Sequence, residues 1–188
     1  LRDRCWTLLL CQPVYLSVAA VNDGHALLPL DNIRQRCQHG SVYGFQQLLL
    51  EPSQQPLSER LQQQASWLQN YAQQAMALLP QELQCKPKHL WGLLADLLWL
   101  ALQAGWQSQR QRAPWYQQGL LWQQAVLAQQ PLAGQRDLIY QAQLQHWQIQ
   151  RGSCCFAYLN PATTPCEGCP KQQAAARRAI TTNTKERV

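Results

Sequence analysis

The sequence predicts an α+β fold that is mostly α-helical: a helical domain with a small β-hairpin element and a C-terminal cysteine-rich appendage. Three observations carry this. Apolar residues recur at three- and four-residue steps through most of the first 130 positions. Two short apolar runs flank a polar turn near Gly40. Four of the eight cysteines fall within the sixteen residues Cys154–Cys169. With 188 residues and 46% hydrophobic content, the chain is long and apolar enough to bury a core.

Residues 4–21 read as a buried helix kinked at Pro13. The apolar run "CWTLLLCQPVYLSVAAV" is interrupted by Gln12, Pro13 and Ser17, which disfavours a bilayer span; Arg2, Asp3 and Arg4 before it do not resemble a signal peptide. The chain opens at Leu1 without a methionine, so an N-terminal part is expected to precede it. "ALLPL" and "SVYGFQQLLL", on either side of "RQRCQHG", suggest a hairpin. Leu57, Leu61, Ala65, Leu68, Ala72, Ala75 and Leu79 form one helical stripe with glutamines opposite, ended by Pro80. Residues 87–105 are apolar nearly all round, with Pro87 suited to a first turn and Gly105 to a stop, so this helix belongs in the middle of the domain. Another helix starts at Pro114 and is expected to stop near Pro131 to Gly134, with a short helix over 136–145. "HWQIQRG", 146–152, alternates like a strand leading into the cysteines.

This divides the chain into a mainly helical part (1–145), a cysteine motif (146–171) and a basic, flexible tail (172–188). Residues 151–188 carry +4 of the net charge of +6. That charge suits an anionic ligand, an acidic partner protein or nucleic acid, while the tail itself reads as solvated.

The cysteines follow the pattern C-C-x10-C-x2-C, at Cys154, Cys155, Cys166 and Cys169. Gly168 lets the last pair fold onto one metal, and Pro161, Pro165 and Pro170 stiffen the segment. Adjacent cysteines on a regular strand point to opposite faces, so both reach one cofactor only through a bent backbone or a cofactor with two metal centres. A two-iron cluster needs two thiolates on each iron, and four cysteines supply them. A four-cysteine zinc site is the second reading, although zinc ribbons usually show two C-x2–4-C knuckles. A redox thiol centre is the third. Arg151 and Lys171 flank the motif, either offsetting cluster charge or lying at the surface.

"IQRGSCCFAYLNPATTPCEGCPK" resembles the C-terminal signature of the FhuF-type ferric siderophore reductases, with looser similarity back to residue 1. The resemblance implies a metal-ion oxidoreductase with one [2Fe–2S] cluster on Cys154, Cys155, Cys166 and Cys169. It would pass one electron to Fe3+ in a siderophore, typically a hydroxamate. The electron would come from a ferredoxin or an NAD(P)H-linked reductase. The implied setting is a cytoplasmic monomer, with room for loose association at the inner face of the membrane; nucleic acid is not an expected partner. The chain departs from the family in a shorter N-terminus and in the extra tail 172–188. The alternative is a non-enzymatic binding module, stabilised by zinc on the four cysteines, with a basic tail. No phosphate loop, dinucleotide fingerprint, H-E-x-x-H or G-x-S-x-G occurs, consistent with electrons taken from a partner.

Among other residues, Asp96 stands alone in "LLADLLWLAL" and is expected to pair with an arginine or a backbone group; a part in proton-coupled transfer is the lesser alternative. Cys5 and Cys11 read as buried thiols, while His146 makes a poor ligand once four thiols are counted. Trp91, Trp99, Trp106, Trp115, Trp122 and Trp147 read mostly as core, with a few of them, beside Tyr116 or Tyr158, as candidates to line a ligand cleft.

Overall fold

Helix α1 (Arg2–Asn22) places Trp6, Leu10, Val14, Val18 and Val21 on one side, and all five are buried. It packs against α2 (Leu57–Leu78) and α3 (Pro87–Trp106), and α4 (Ala113–Leu127) closes the bundle against α2 and α3. A computed structural model describes residues 2–25, 34–38, 41–46, 52–106, 113–128, 130, 137–141, 146–154 and 169–171. From Cys5 to Asn22, α1 is long and apolar enough to cross a membrane by length and composition. Within the bundle its apolar stripe lies in the core, while Tyr15 is 37% exposed, the rest of it covered.

The central position expected for 87–105 is observed. Leu90, Trp91, Leu93, Leu94, Ala95, Leu97, Leu98, Trp99 and Leu102 of α3 are all buried. Full burial of each large apolar side chain contributes roughly 1.5–3 kcal/mol before entropy is counted. On α2 the stripe Leu61, Ala65, Leu68 and Ala72 is buried as expected, whereas Leu57 is exposed. Gln64 departs from the expected polar face: it sits between Leu61 and Leu68 on the inner stripe, fully buried. There its amide donates to Ser17 Oγ at 2.9 Å, and Ser17 donates to the Pro13 carbonyl at 2.7 Å. Helix α4 approaches α3 at Gly119, where a Cβ would come within 2.4 Å of the Trp99 ring.

Caps explain the helix ends. Gly24, at φ +73°, ends α1, and the His25 N–H returns to the Ala20 carbonyl at 3.0 Å. Helix α4 stops at Leu127, short of Pro131; the Gln69 side-chain amide from α2 takes the Val126 carbonyl at 2.7 Å. Pro13 lacks an N–H, so it leaves the Leu9 carbonyl without its usual intrahelical donor. Gln35 Nε2 donates to that carbonyl instead at 3.2 Å, and the Tyr71 hydroxyl, with one proton to give, lies within reach of both that carbonyl (3.3 Å) and Gln35 Oε1 (3.2 Å).

Two antiparallel hairpins complete the described structure. One is β1 (Arg34–Gln38) with β2 (Ser41–Gln46), carrying an irregularity between Gln35 and Arg36; a hairpin is found as expected, but its first strand is the polar segment expected to separate the two apolar runs, and "ALLPL" lies outside the described residues. The other corrects the helix expected over 136–145. Residues Asp137–Gln141 form strand β3, paired with β4 (His146–Gln150) in the register Leu138↔Ile149 and Tyr140↔Trp147. Ile139 and Tyr140 suit a strand, and the neighbouring β4 supplies the cross-strand partners that an isolated segment lacks. Strand β4 packs on α3, with Ile149 buried.

Candidate functional site

The site lies where β4 ends against the middle of α3. Asp96 is fully buried, flanked along α3 by the buried residues Leu93, Leu94, Ala95, Leu97, Leu98 and Trp99. A buried carboxylate in such surroundings is costly unless its oxygens are satisfied. Both are used: the Gly152 N–H donates to Oδ1 at 3.0 Å, and the Ser153 N–H donates to Oδ2 at 2.8 Å. The Arg151 Nε lies 3.7 Å from Oδ2, close enough for an ion pair and too long for a hydrogen bond. Arg151 itself is only 6% exposed. The expected partnering of Asp96 with an arginine or a backbone group is therefore met on both counts.

This anchor sits directly before Cys154. Strand β4 delivers the chain to Arg151, and Asp96 then holds two successive peptide units by one oxygen each. Cys154 is the next residue and is half-buried. Cys169 is buried at 2% exposure, and neither it nor Cys154 stands in a disulfide. Cys155 and Cys166 lie outside the described residues. Among the described residues no three metal-ligating side chains come together, and only two of the four motif thiols are described. The donor set, four thiols in one short segment, is of the soft type that holds iron–sulfur clusters or zinc.

Arg151 and Lys171 part ways. Arg151 is drawn inward to Asp96, so its charge is already partly countered, while Lys171 is exposed. Helix α1 contributes a second face near the guanidinium. Burial pushes the Tyr15 phenol up from its ordinary value and the Cys11 thiol one turn earlier adds to this, while Arg151 opposes it. Burial also raises the Cys11 thiol, which is half-buried rather than fully buried as expected; Cys5 is half-buried too.

Of the expected core tryptophans, Trp91, Trp99, Trp115 and Trp122 are buried, and sequence reasoning passed over Trp6, also buried, whose Nε1–H donates to the Leu83 carbonyl at 2.7 Å. Tyr116, offered as a cleft residue, packs on Trp99 with ring centroids 5.4 Å apart. The side chains of Trp106 and Trp147, together with residue Tyr158, lie outside the described part. Compared with known proteins, the chain matches no family model, no curated protein and no solved structure.

Proposed function

We propose that this chain is an iron–sulfur oxidoreductase that reduces ferric siderophores, of hydroxamate type, by one electron. One observation carries the proposal: the C-C-x10-C-x2-C set, whose first cysteine follows a turn tied to a buried carboxylate in the central helix. In this reading the helical part with its hairpins is a scaffold, and the segment from 146 to 171, whose strand β4 packs on α3, binds the cluster. Cys154, Cys155, Cys166 and Cys169 would hold one [2Fe–2S] cluster, which supplies a one-electron carrier.

The chain's own residues hold and surround that site. Asp96 fixes the main chain before Cys154. Arg151 places a positive charge beside it, and Lys171 adds one at the surface, where an anionic ferric chelate or an acidic electron donor would meet it. Reduction weakens the hold of hard oxygen ligands on the iron, so the chelate releases Fe2+. A ferredoxin or an NAD(P)H-linked reductase would supply the electron, and the setting that suits this chemistry is the cytoplasm, at or near the inner face of the membrane.

The test is a set of Cys→Ser variants at positions 154, 155, 166 and 169, assayed for bound iron and for reduction of a ferric hydroxamate by a chemically reduced donor. Each is expected to lose or alter the cluster and to lose reduction. A variant with unchanged visible absorption and unchanged rate overturns the ligand assignment.

A further inference from the structure

We infer that Asp96 is a positioning residue for Cys154, whose carboxylate sets the main-chain course of the first ligand residue. The inference rests on the iron–sulfur reading for its redox consequence and on geometry alone for its structural one. Helix α3 satisfies its own main chain, so it does not need a carboxylate at its centre. The groups that need one are the N–H groups of Gly152 and Ser153, which leave β4 and point into an apolar core.

The match is specific to a carboxylate. Each Asp96 oxygen accepts from a different, successive amide, which orients two adjacent peptide planes rather than one atom. An asparagine offers one acceptor oxygen, and its NH2 group would face the second N–H, donor against donor. A serine or threonine is too short to span both amides. Cys154 is the first residue beyond the two oriented planes, so its position is set from the core. The same carboxylate adds a negative charge next to the motif, with the Arg151 Nε 3.7 Å from it. Negative charge near a cluster disfavours the added electron, so Asp96 also holds the potential down.

The test combines amide hydrogen exchange on the iron-free full chain with potentiometry on the iron-loaded one, for wild type and Asp96→Asn. In wild type, the Gly152 and Ser153 amides are expected to exchange about 100-fold or more slowly than unprotected amides, like those in the centre of α3. In Asp96→Asn, that protection falls while the α3 amides keep theirs. The iron-loaded variant is expected to show a more positive potential and an altered visible circular dichroism spectrum. Unprotected amides in wild type, or an unchanged potential and spectrum in a folded Asp96→Asn, overturn the inference. If Asp96→Asn does not fold, wild-type exchange decides the structural claim, and Asp96→Glu, which keeps the charge and displaces the carboxylate, decides whether its position shapes the cluster site: a visible circular dichroism spectrum equal to wild type would overturn the inference. Slow exchange in a chain that takes up no iron would defeat the cluster reading and leave the positioning role standing.

Discussion

At Pro13 and at Gly152–Ser153 the protein meets one problem, main-chain groups without a partner in their own segment, and answers it with different chemistry. At Pro13 the orphan is the Leu9 carbonyl, and the partners are neutral: the Gln35 amide and the Tyr71 hydroxyl. They come from β1 and α2, so the repair ties the first hairpin and α2 to α1. At the end of β4 the orphans are two N–H groups, and the partner is a buried carboxylate with an arginine beside it. Neutral repair is the cheaper solution in a core, because a charge loses more hydration on burial. The charged solution is found beside the cysteine motif and not at the purely structural joint. Geometry accounts for part of that, since two amides need two acceptor oxygens, and the proposed redox role accounts for the rest.

Removing one side of each repair should separate them. Asp96→Ala is expected to have the largest effect, a loss of about 3–5 kcal/mol measured by denaturant unfolding, because it takes the carboxylate from Arg151 and from two buried N–H groups at once. A loss below about 1 kcal/mol would mean that the charged joint is no stronger than the neutral one. Combining Gln35→Ala with Tyr71→Phe should cost less, about 1–3 kcal/mol, because the acceptors that lose a donor, the Leu9 carbonyl and Gln12 Oε1, are neutral. Tyr71→Phe alone should cost about 0.5–1.5 kcal/mol, with Gln35 still donating to Leu9.

The smallest effect is in pH. Burial raises the Tyr71 phenol above its ordinary 10.0, so the contribution of Tyr71 is complete below pH 10 and falls as pH rises through the folded value. Cys11, raised above 9.0, behaves the same way from pH 9 upward. The stability gap between wild type and Tyr71→Phe should therefore narrow above pH 10, as followed by urea unfolding at a series of pH values. A gap that widens there would show that the phenol is ionised more readily in the fold than outside it.

Much of this architecture was legible as local pattern. The Leu61–Ala65–Leu68–Ala72 stripe and the all-apolar 87–105 segment announce their own burial, because helical packing repeats every three or four residues. Strand β3 was not legible: Leu138 and Ala142 sit at helical spacing, and only pairing with β4 makes the segment a strand. The candidate site divides the same way. A lone aspartate among leucines declares that it needs a partner. Its partners are main-chain amides 56 and 57 residues further on, and an amide carries no sequence signal. Likewise Pro13 implies an orphan carbonyl four residues back, yet nothing marks Gln35 among so many glutamines as the one that reaches it.

The most direct test of the central claim is the visible absorption spectrum of the full chain purified without oxygen, with iron, sulfide and zinc assayed on the same sample. The account predicts a red-brown protein with about two irons and two sulfides per chain, bleached by dithionite. A colourless protein carrying one zinc would contradict it and establish the thiols as a structural metal site.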